Sequence, residues 1–379
     1  PGVYQHDWPY TWGLCPHDDL WEDWGISVGA NGMRREMVVV NGDLLQQELI
    51  ENYAWVDPDG HGTGETGRWV YTGGGGLGVL SPGTFGVVEG IAADSNRPPS
   101  VEHKLFVYPP DGVDFSTASI EIPVQPYLLF MNGKNCVVWR NLTIQHSTAF
   151  LNSYTTQRLY SQNMLVDGCV IRQNNGGGVS LGNEPTNVTM RETYLIENGG
   201  SGGSCSRPDN CLFIDNECSR NNWRGHLGNI HGWSYAGFKM MGPGYEGTVK
   251  GVKVSRHRAL ENLAHGQWFD HCEESPGPLD IDELYCVNNR YGAQLYIEKQ
   301  AGPIALSNSF FWCPDDGLRG IYAIASNVFI SNTLVYACNQ DVVYLNDRNY
   351  KIGYSTDWNV RDSTFMGRGN GPMIYRDAC

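Results

Sequence analysis

From about residue 135 a short pattern recurs along the chain. One polar or glycine turn residue is followed by three or four strand-forming residues whose apolar side chains alternate. It reads Asn141-Leu-Thr-Ile, Gly168-Cys-Val-Ile, Thr193-Tyr-Leu-Ile, Asn216-Glu-Cys, Gly251-Val-Lys-Val, Glu283-Leu-Tyr-Cys, Asn308-Ser-Phe-Phe, Asn332-Thr-Leu-Val and Asp362-Ser-Thr-Phe. The first residues lie 27, 25, 23, 35, 32, 25, 24 and 30 apart. Such a period, with occasional insertions, suits one rung of a parallel β-helix holding two or three short strands. Four of the nine repeats begin with Asn, which tolerates left-handed turns and stacks into side-chain ladders. Leucine-rich repeats share the period but need a regular Leu framework, and a propeller blade needs about 40–45 residues. The expected fold is therefore all-β, a right-handed parallel β-helix.

Most rungs carry a second strand, 10 to 20 residues after the first. These segments are Val179-Ser-Leu-Gly, Gly237-Phe-Lys-Met, Gly266-Gln-Trp-Phe-Asp, Leu295-Tyr-Ile-Glu, Gly320-Ile-Tyr-Ala-Ile and Val342-Val-Tyr-Leu-Asn. The two longest intervals place extended loops near residues 223–246 and 271–278, and long loops on a rigid solenoid commonly shape its binding face. Residues 1–130 read differently. Six of the twelve Trp lie in the first 69 residues, and strand-like runs alternate with Asn41-Gly42 and Pro109-Pro110-Asp111-Gly112 turns. The division expected is a Trp/Gly-rich β module or cap over 1–130 and a β-helix carrying the groove over 131–379, because a solenoid needs its open end covered.

Charge and composition narrow the partners. With 26 Lys+Arg against 41 Asp+Glu, the chain of 379 residues has a net charge of −15. That excludes a phosphate-backbone binder, which needs clustered positive charge. No run approaches the roughly 18 apolar residues of a transmembrane helix. Neither nucleic acid nor membrane is an expected partner. Eleven cysteines leave at least one outside any internal pairing, and no CxxC motif signals structural zinc. Buried thiols and one or two disulfides are both open. The chain starts at Pro1 without a basic-apolar leader, so a signal peptide is absent from it or already removed.

Strand alternation then picks out a face. In Trp268-Phe269-Asp270 the inward residue is Phe269; in Leu295-Tyr296-Ile297-Glu298 the inward residues are Leu295 and Ile297. Asp270 and Glu298 are 28 residues apart, close to one rung, and therefore next-strand neighbours on the outer face. Trp268 and Tyr296 form an aromatic wall beside them, suited to the apolar faces of sugars. A retaining glycosidase needs two carboxyl groups about 5–5.5 Å apart and an inverting one about 6.5–9.5 Å. Taken singly, each acid is a solvated surface residue; the repeated aromatic-x-acid pattern on consecutive rungs is what singles them out. Lys239, between inward Phe238 and Met240, projects from the same face and can tune the carboxylates. The loop from Trp223 to Trp233, with Arg224, His226 and His231, reads as a subsite wall or a packed cap.

Three stretches resemble carbohydrate-active enzymes of the right-handed β-helix (pectin-lyase-like) superfamily, especially glycoside hydrolases with xylosidase, xylanase and fucosidase members. They are Arg35-Glu-Met-Val-Val-Val-Asn-Gly42 with Pro82-Gly-Thr-Phe85 and Tyr108-Pro-Pro-Asp-Gly112; Gly232-Trp233 with Gly237-Phe-Lys239; and Gly266-Gln-Trp-Phe-Asp270 with Tyr296-Ile-Glu298, Gly302-Pro303 and Asn308. The resemblance implies an Asp nucleophile and a Glu acid/base, here Asp270 and Glu298. Read from the outer face and the Trp223–Trp233 loop, the expected substrate-binding set is Trp268, Tyr296, Lys239, Trp233, Trp223, Arg224 and His231. The resemblance implies a polysaccharide or oligosaccharide substrate, no metal or other cofactor, and a secreted or periplasmic setting. Gln267 and Gln294 depart from it, standing where apolar residues are usual. A polysaccharide lyase on the same fold is the alternative, with Lys239 or Arg224 as base and Ca²⁺ held by Asp270, Glu298 and Glu273 or Glu274. A glycan-binding β-helix without catalysis is the third reading.

Overall fold

Left-handed backbone angles recur at up to three places in a rung, and they set the corners of the coil. One such column runs Asn141, Gly168, Glu192, Asp215, Arg256, Glu283, Asn308, Asn332 and Asp362, all with φ between 45° and 61°. A second holds His146, Gln173, Glu197, Arg220, Glu261 and Asn288, and a third Asn163, Asn187, Asn210 and Gly251. Most of these residues carry a Cβ, which makes the left-handed region costly, so the neighbouring rungs must hold the corners in place.

The computed structural model describes residues 2–8, 36–48, 50, 52–56, 68–73, 75–88, 104–130, 133–149, 154–157, 161–224, 235–242, 250–270, 279–300, 303–313, 319–336, 341–346, 357–367 and 374–377. Between the corners run three parallel sheets of ten, nine and nine strands, each strand pairing with the equivalent strand one rung on. The chain is an all-β parallel β-helix. Its ten-stranded sheet holds every one of the second strands read from the sequence, among them Ala236–Met241, His265–Asp270, Ala293–Gln300, Arg319–Ala325 and Asp341–Asn346. Apolar side chains from all three sheets fill the coil, including Val166, Phe213, Phe238, Phe269, Leu295, Ile321 and Val335. No helix among the described residues is long and apolar enough to cross a membrane.

One repeat was misplaced. Gly251-Val-Lys-Val forms the strand Val252–Ser255, which belongs to a different sheet from its eight supposed equivalents. The strand that completes that column is Arg258–Leu260, after the Arg256 corner. Both segments follow a left-handed residue with the same alternation, and Gly announces a turn more loudly than Arg does. The rung from Asp215 to Arg256 consequently spans 41 residues.

The turn asparagines do ladder on the surface, Asn332 donating to Asn308 at 2.8 Å and Asn210 to Asn187 at 2.6 Å, but a longer ladder lies elsewhere. It runs inside the coil, one residue past the second corner column. Asn174 donates to Asn198 at 2.8 Å, Asn198 to Asn221 at 3.0 Å, Asn221 to Asn262 at 2.9 Å and Asn262 to Asn289 at 2.8 Å. Each of Asn198, Asn221, Asn262 and Asn289 also donates to a backbone carbonyl of the preceding rung. Every amide is fully buried, so this satisfaction is obligatory. The ladder dictates the residues facing it. A Cβ on Gly178, Gly202, Gly237 or Gly266 would lie 2.4–2.7 Å from a carbonyl of the next rung and 2.7–2.9 Å from a ladder amide nitrogen. At the next rung Gln294 stands in the glycine's place, accepts from Asn289 at 2.8 Å and closes the line.

The N-terminal residues form a four-stranded sheet of Tyr4–Asp7, Lys104–Tyr108, Thr84–Val88 and Gln46–Gln47, beside three-stranded and two-stranded sheets. A separate small core of Trp8, Val38, Phe85 and Leu105 supports them. Arg224 ties this region to the coil. Its side chain is completely buried and donates to Asn175 at 3.0 Å, to the Glu36 carbonyl at 2.9 Å and to Gln47. Both cysteine fates occur: Cys313 is disulfide-bonded, while Cys169, Cys211, Cys218 and Cys286 are buried thiols. Burial pushes the Cys211 thiol up to about 11.

His257 follows the Arg256 corner and faces the core edge-on to Phe238, with neither ring nitrogen hydrogen-bonded. Burial first, then the Arg258 charge, lowers its pKa from 6.5 to about 4. The unfolded chain then binds more protons than the folded one between those values, so this contribution to stability is complete above pH 6.5 and is lost as pH falls. We expect roughly 2 kcal/mol of stability to disappear between pH 7 and pH 5 on this account. Leu284 occupies the same place one rung on, so His257→Leu should fold and flatten that slope in denaturant titrations. An unchanged slope would contradict this assignment.

Candidate active site

The ten-stranded sheet presents three columns outward. His265, Ala293, Arg319 and Asp341 form the first; Ala293 is in register with Arg319 and Arg319 with Asp341. The second is Lys239, Trp268, Tyr296, Tyr322 and Tyr344, in unbroken register over five strands. In the third, Met241 is in register with Asp270. Phe269 pairs with Ile297, and one further step along both strands sets Asp270 beside Glu298. Adjacent parallel strands lie about 4.7–4.9 Å apart, so the carboxylates share one rung interval as the sequence spacing requires. Each is only 7% exposed.

Lys239 organises this corner. Its ammonium lies 2.9 Å from the Asp270 carboxylate and 3.4 Å from the centre of the Trp268 ring. Both partners in the ion pair are nearly buried, where a cation–carboxylate contact and a cation–aromatic contact are strongest. Trp268 in turn stacks on Tyr296 with centres 5.0 Å apart, and Tyr296 on Tyr322 at 4.4 Å and 3°. His265 packs against both Trp268 and Tyr296, and its Nδ1 accepts the Ala293 amide proton at 2.9 Å. Burial, followed by the negative charge of Glu298, holds the Tyr296 phenol far above its usual range.

This stack revises the sugar-facing wall expected of Trp268 and Tyr296. The rings lie face to face along the helix axis, so Lys239 and Tyr296 cover the two faces of Trp268. Trp268 and Tyr322 cover those of Tyr296. Both side chains are 2% exposed. They buttress the carboxylates and offer edges. Strand alternation fixes the direction in which a side chain leaves the sheet but not the plane of its ring. The Trp268 indole N–H is buried and makes no hydrogen bond.

The other sequence candidates scatter. Arg224 is a structural tie, as described, and its guanidinium covers Trp223 at 4.6 Å. Trp223 donates to the Glu197 carbonyl at 2.9 Å and lines a separate hollow of about 580 Å³ with Glu197, Arg220 and Arg290. Trp233, His226, His231, Glu273 and Glu274 lie outside the described residues. Among the described residues no three His, Cys, Asp or Glu side chains gather as a metal site. Tyr322, Tyr344 and Arg319 were missed by sequence reading. The guanidinium of Arg319 sits 5.0 Å from the Tyr322 ring and 4.3 Å from the Tyr344 ring, and it pairs with Asp341 at 3.4 Å. The signal was present, because Ile321-Tyr322 and Val343-Tyr344 repeat the Leu295-Tyr296 step.

These features define a parallel β-helix with a charged, aromatic-backed outer face. Among solved structures, the complex of XylC with xylose is similar, with a TM-score of 0.57 at 10% identity. The match covers 88% of this chain and 57% of XylC, so the chain spans little more than half of that protein's length. That likeness shows the fold. The catalytic domain of GH87 α-1,3-glucanase bound to nigerose matches at TM-score 0.36 and 9% identity, over 90% of this chain and 85% of that one. PfbA, a surface adhesin of Streptococcus pneumoniae, matches at 0.31 and 12%, over 65% and 62%. Scores that low carry no argument. No protein-family model matches the chain, and no curated protein does.

Removing one member of the nearly buried pair should be costly. Lys239→Met strips Asp270 of its cation and is expected to cost about 3 kcal/mol in denaturant unfolding. Lys239→Met combined with Asp270→Asn should recover much of that loss. A single variant as stable as the parent would refute the structural weight given to the pair.

Proposed function

We propose that the chain is a glycoside hydrolase acting on a plant or algal polysaccharide, with Asp270 and Glu298 as its carboxylate pair. The observation that carries this reading is the placement of two nearly buried acids on adjacent strands, with the ammonium of Lys239 against Asp270. Opposite charge at 2.9 Å favours the ionised form of Asp270. Glu298 takes the complementary role, since a second carboxyl beside a carboxylate is easier to keep protonated.

The division of labour follows. Glu298 donates its proton to the departing glycosidic oxygen while an Asp270 oxygen bonds to the anomeric carbon and the old C–O bond breaks. Water, deprotonated by Glu298, then displaces Asp270 and returns the carboxylate to its lysine. The configuration at the anomeric carbon is retained. His265, whose Nδ1 accepts the Ala293 amide proton, carries its ring proton on Nε2.

In the lyase reading Lys239 would abstract a proton. Its ammonium is instead committed to Asp270 and the Trp268 face, which favours the hydrolase.

A digest of xylan, β-glucan, arabinan, pectin and alginate separates the two. New reducing ends without ultraviolet absorbance, unaffected by chelator, are expected from the parent. Asp270→Asn and Glu298→Gln should each lower turnover by at least about a thousandfold. Absorbing product lost on chelation would replace hydrolysis with elimination. Lys239→Met should lower turnover at least about tenfold, because Asp270 loses the ammonium that holds it. Full activity in that variant would count against Asp270 as the nucleophile.

A further inference from the structure

Away from the carboxylate face, the corner column from Gly168 to Asp362 borders a long surface groove. Two hollows, of about 530 and 630 Å³, share Glu283 and Tyr285 and so form one trough. The first is lined by Tyr194, Asp215, Arg256 and Arg258, the second by Asn308, Phe310, Asn332 and Asp362. Tyr194 and Tyr285 are 39% and 42% exposed, large values for aromatic rings on a rigid sheet. Phe310 lies 6.4 Å from Tyr285 along the same column. Beside them on the same sheet, Trp312 and Met366 are also exposed.

We propose that this groove is a second glycan site, holding one chain of neutral polysaccharide along the helix axis. The ligand class rests on the carbohydrate reading above; the site itself does not involve Asp270 or Glu298. Three observations choose the occupant. The lining joins aromatic surface to amide, hydroxyl and carboxylate groups, the mixture that meets both the apolar faces and the hydroxyls of a sugar. Its cations are already matched, Arg256 in a two-bond pair with Asp215 at 2.6 and 2.8 Å and Arg258 with Glu217 at 3.1 Å. The half around Asn308 and Asn332 contains no Lys or Arg at all, so a polyanion finds no counter-charge.

Shape and symmetry weigh against protein partners. All the strands along the groove except the last, Thr364–Met366, are paired on both sides within their sheet, so along most of its length a peptide finds no free edge to join. A second copy docking through the same patch about a two-fold axis at Glu283 would set Glu283 against its own equivalent and Glu192 against Asp362. A linear groove whose contacts repeat at every rung suits a linear polymer of repeating units.

The test is affinity electrophoresis of the full chain carrying Asp270→Asn, through native gels containing β-glucan, xylan, arabinan or alginate. At least one neutral glycan should retard the protein, and alginate should not. Tyr285→Ala with Phe310→Ala should weaken that retardation about tenfold. On the Asp270 parent, the same double replacement should leave cleavage of short oligosaccharides unchanged. Should the double variant fail to keep its circular dichroism, Tyr194→Ser at the other end should still weaken binding about threefold. Equal retardation with and without the aromatic pair overturns the proposal, as does retardation by none of the neutral glycans. Loss of a dimer in sedimentation, with glycan binding unaltered, would make the groove an interface and overturn it too. Failure of the hydrolase reading shows separately, as aromatic-dependent retardation in a chain that cuts nothing.

Discussion

A line of amide-to-amide hydrogen bonds from Asn174 to Gln294 sets the register on which everything else depends. Short strands of three residues, such as Tyr285–Val287, have little pairing of their own to prevent slippage. A buried amide that must find its partner one rung away removes that freedom, because an unmet amide in the core costs about 1–3 kcal/mol. The ladder sits at the entrance to the ten-stranded sheet, so each strand there begins at a fixed height. The glycines facing it are required by its closeness, including the one that opens Gly266-Gln-Trp-Phe-Asp270.

Fixed register turns a repeating backbone into aligned side-chain columns. Lys239, Trp268, Tyr296 and Tyr322 stack because they occupy equivalent places on successive strands, Tyr344 meets Tyr322 edge-on, and Asp270 and Glu298 each follow a residue of the registered pair Phe269 and Ile297. The aromatic stack supports the cation, and the cation pairs with Asp270. A pair of carboxyls can divide the roles of base and acid when their electrostatic surroundings differ.

Much of this was legible in the chain. The corner residues were visible as Gly168, Glu283, Asn308, Asn332 and Asp362, and period-2 alternation placed Asp270 and Glu298 on one outer face. The interior ladder was hidden, since polar residues one step past a turn look like more turn, and the 41-residue rung between Asn221 and Asn262 breaks their spacing. Arg224 looked like a subsite residue because its partners Glu36 and Gln47 lie 188 and 177 positions away. Gln294 looked like a misplaced polar residue until its role in closing the ladder was seen. Gln267 retains that oddity: its amide is buried with no hydrogen-bond partner, and nothing in the structure explains it.

The most direct test of the central claim is to trap the reaction on the protein. Once the digest has identified the sugar released, its 2-deoxy-2-fluoro glycoside with a good leaving group should inactivate the enzyme as a slow substrate. Peptide mapping is then predicted to find the fluorosugar as an ester on the peptide carrying Asp270, absent in Asp270→Asn. A stoichiometric ester on any other residue, or turnover with inverted configuration and no adduct, would contradict the roles assigned to this pair.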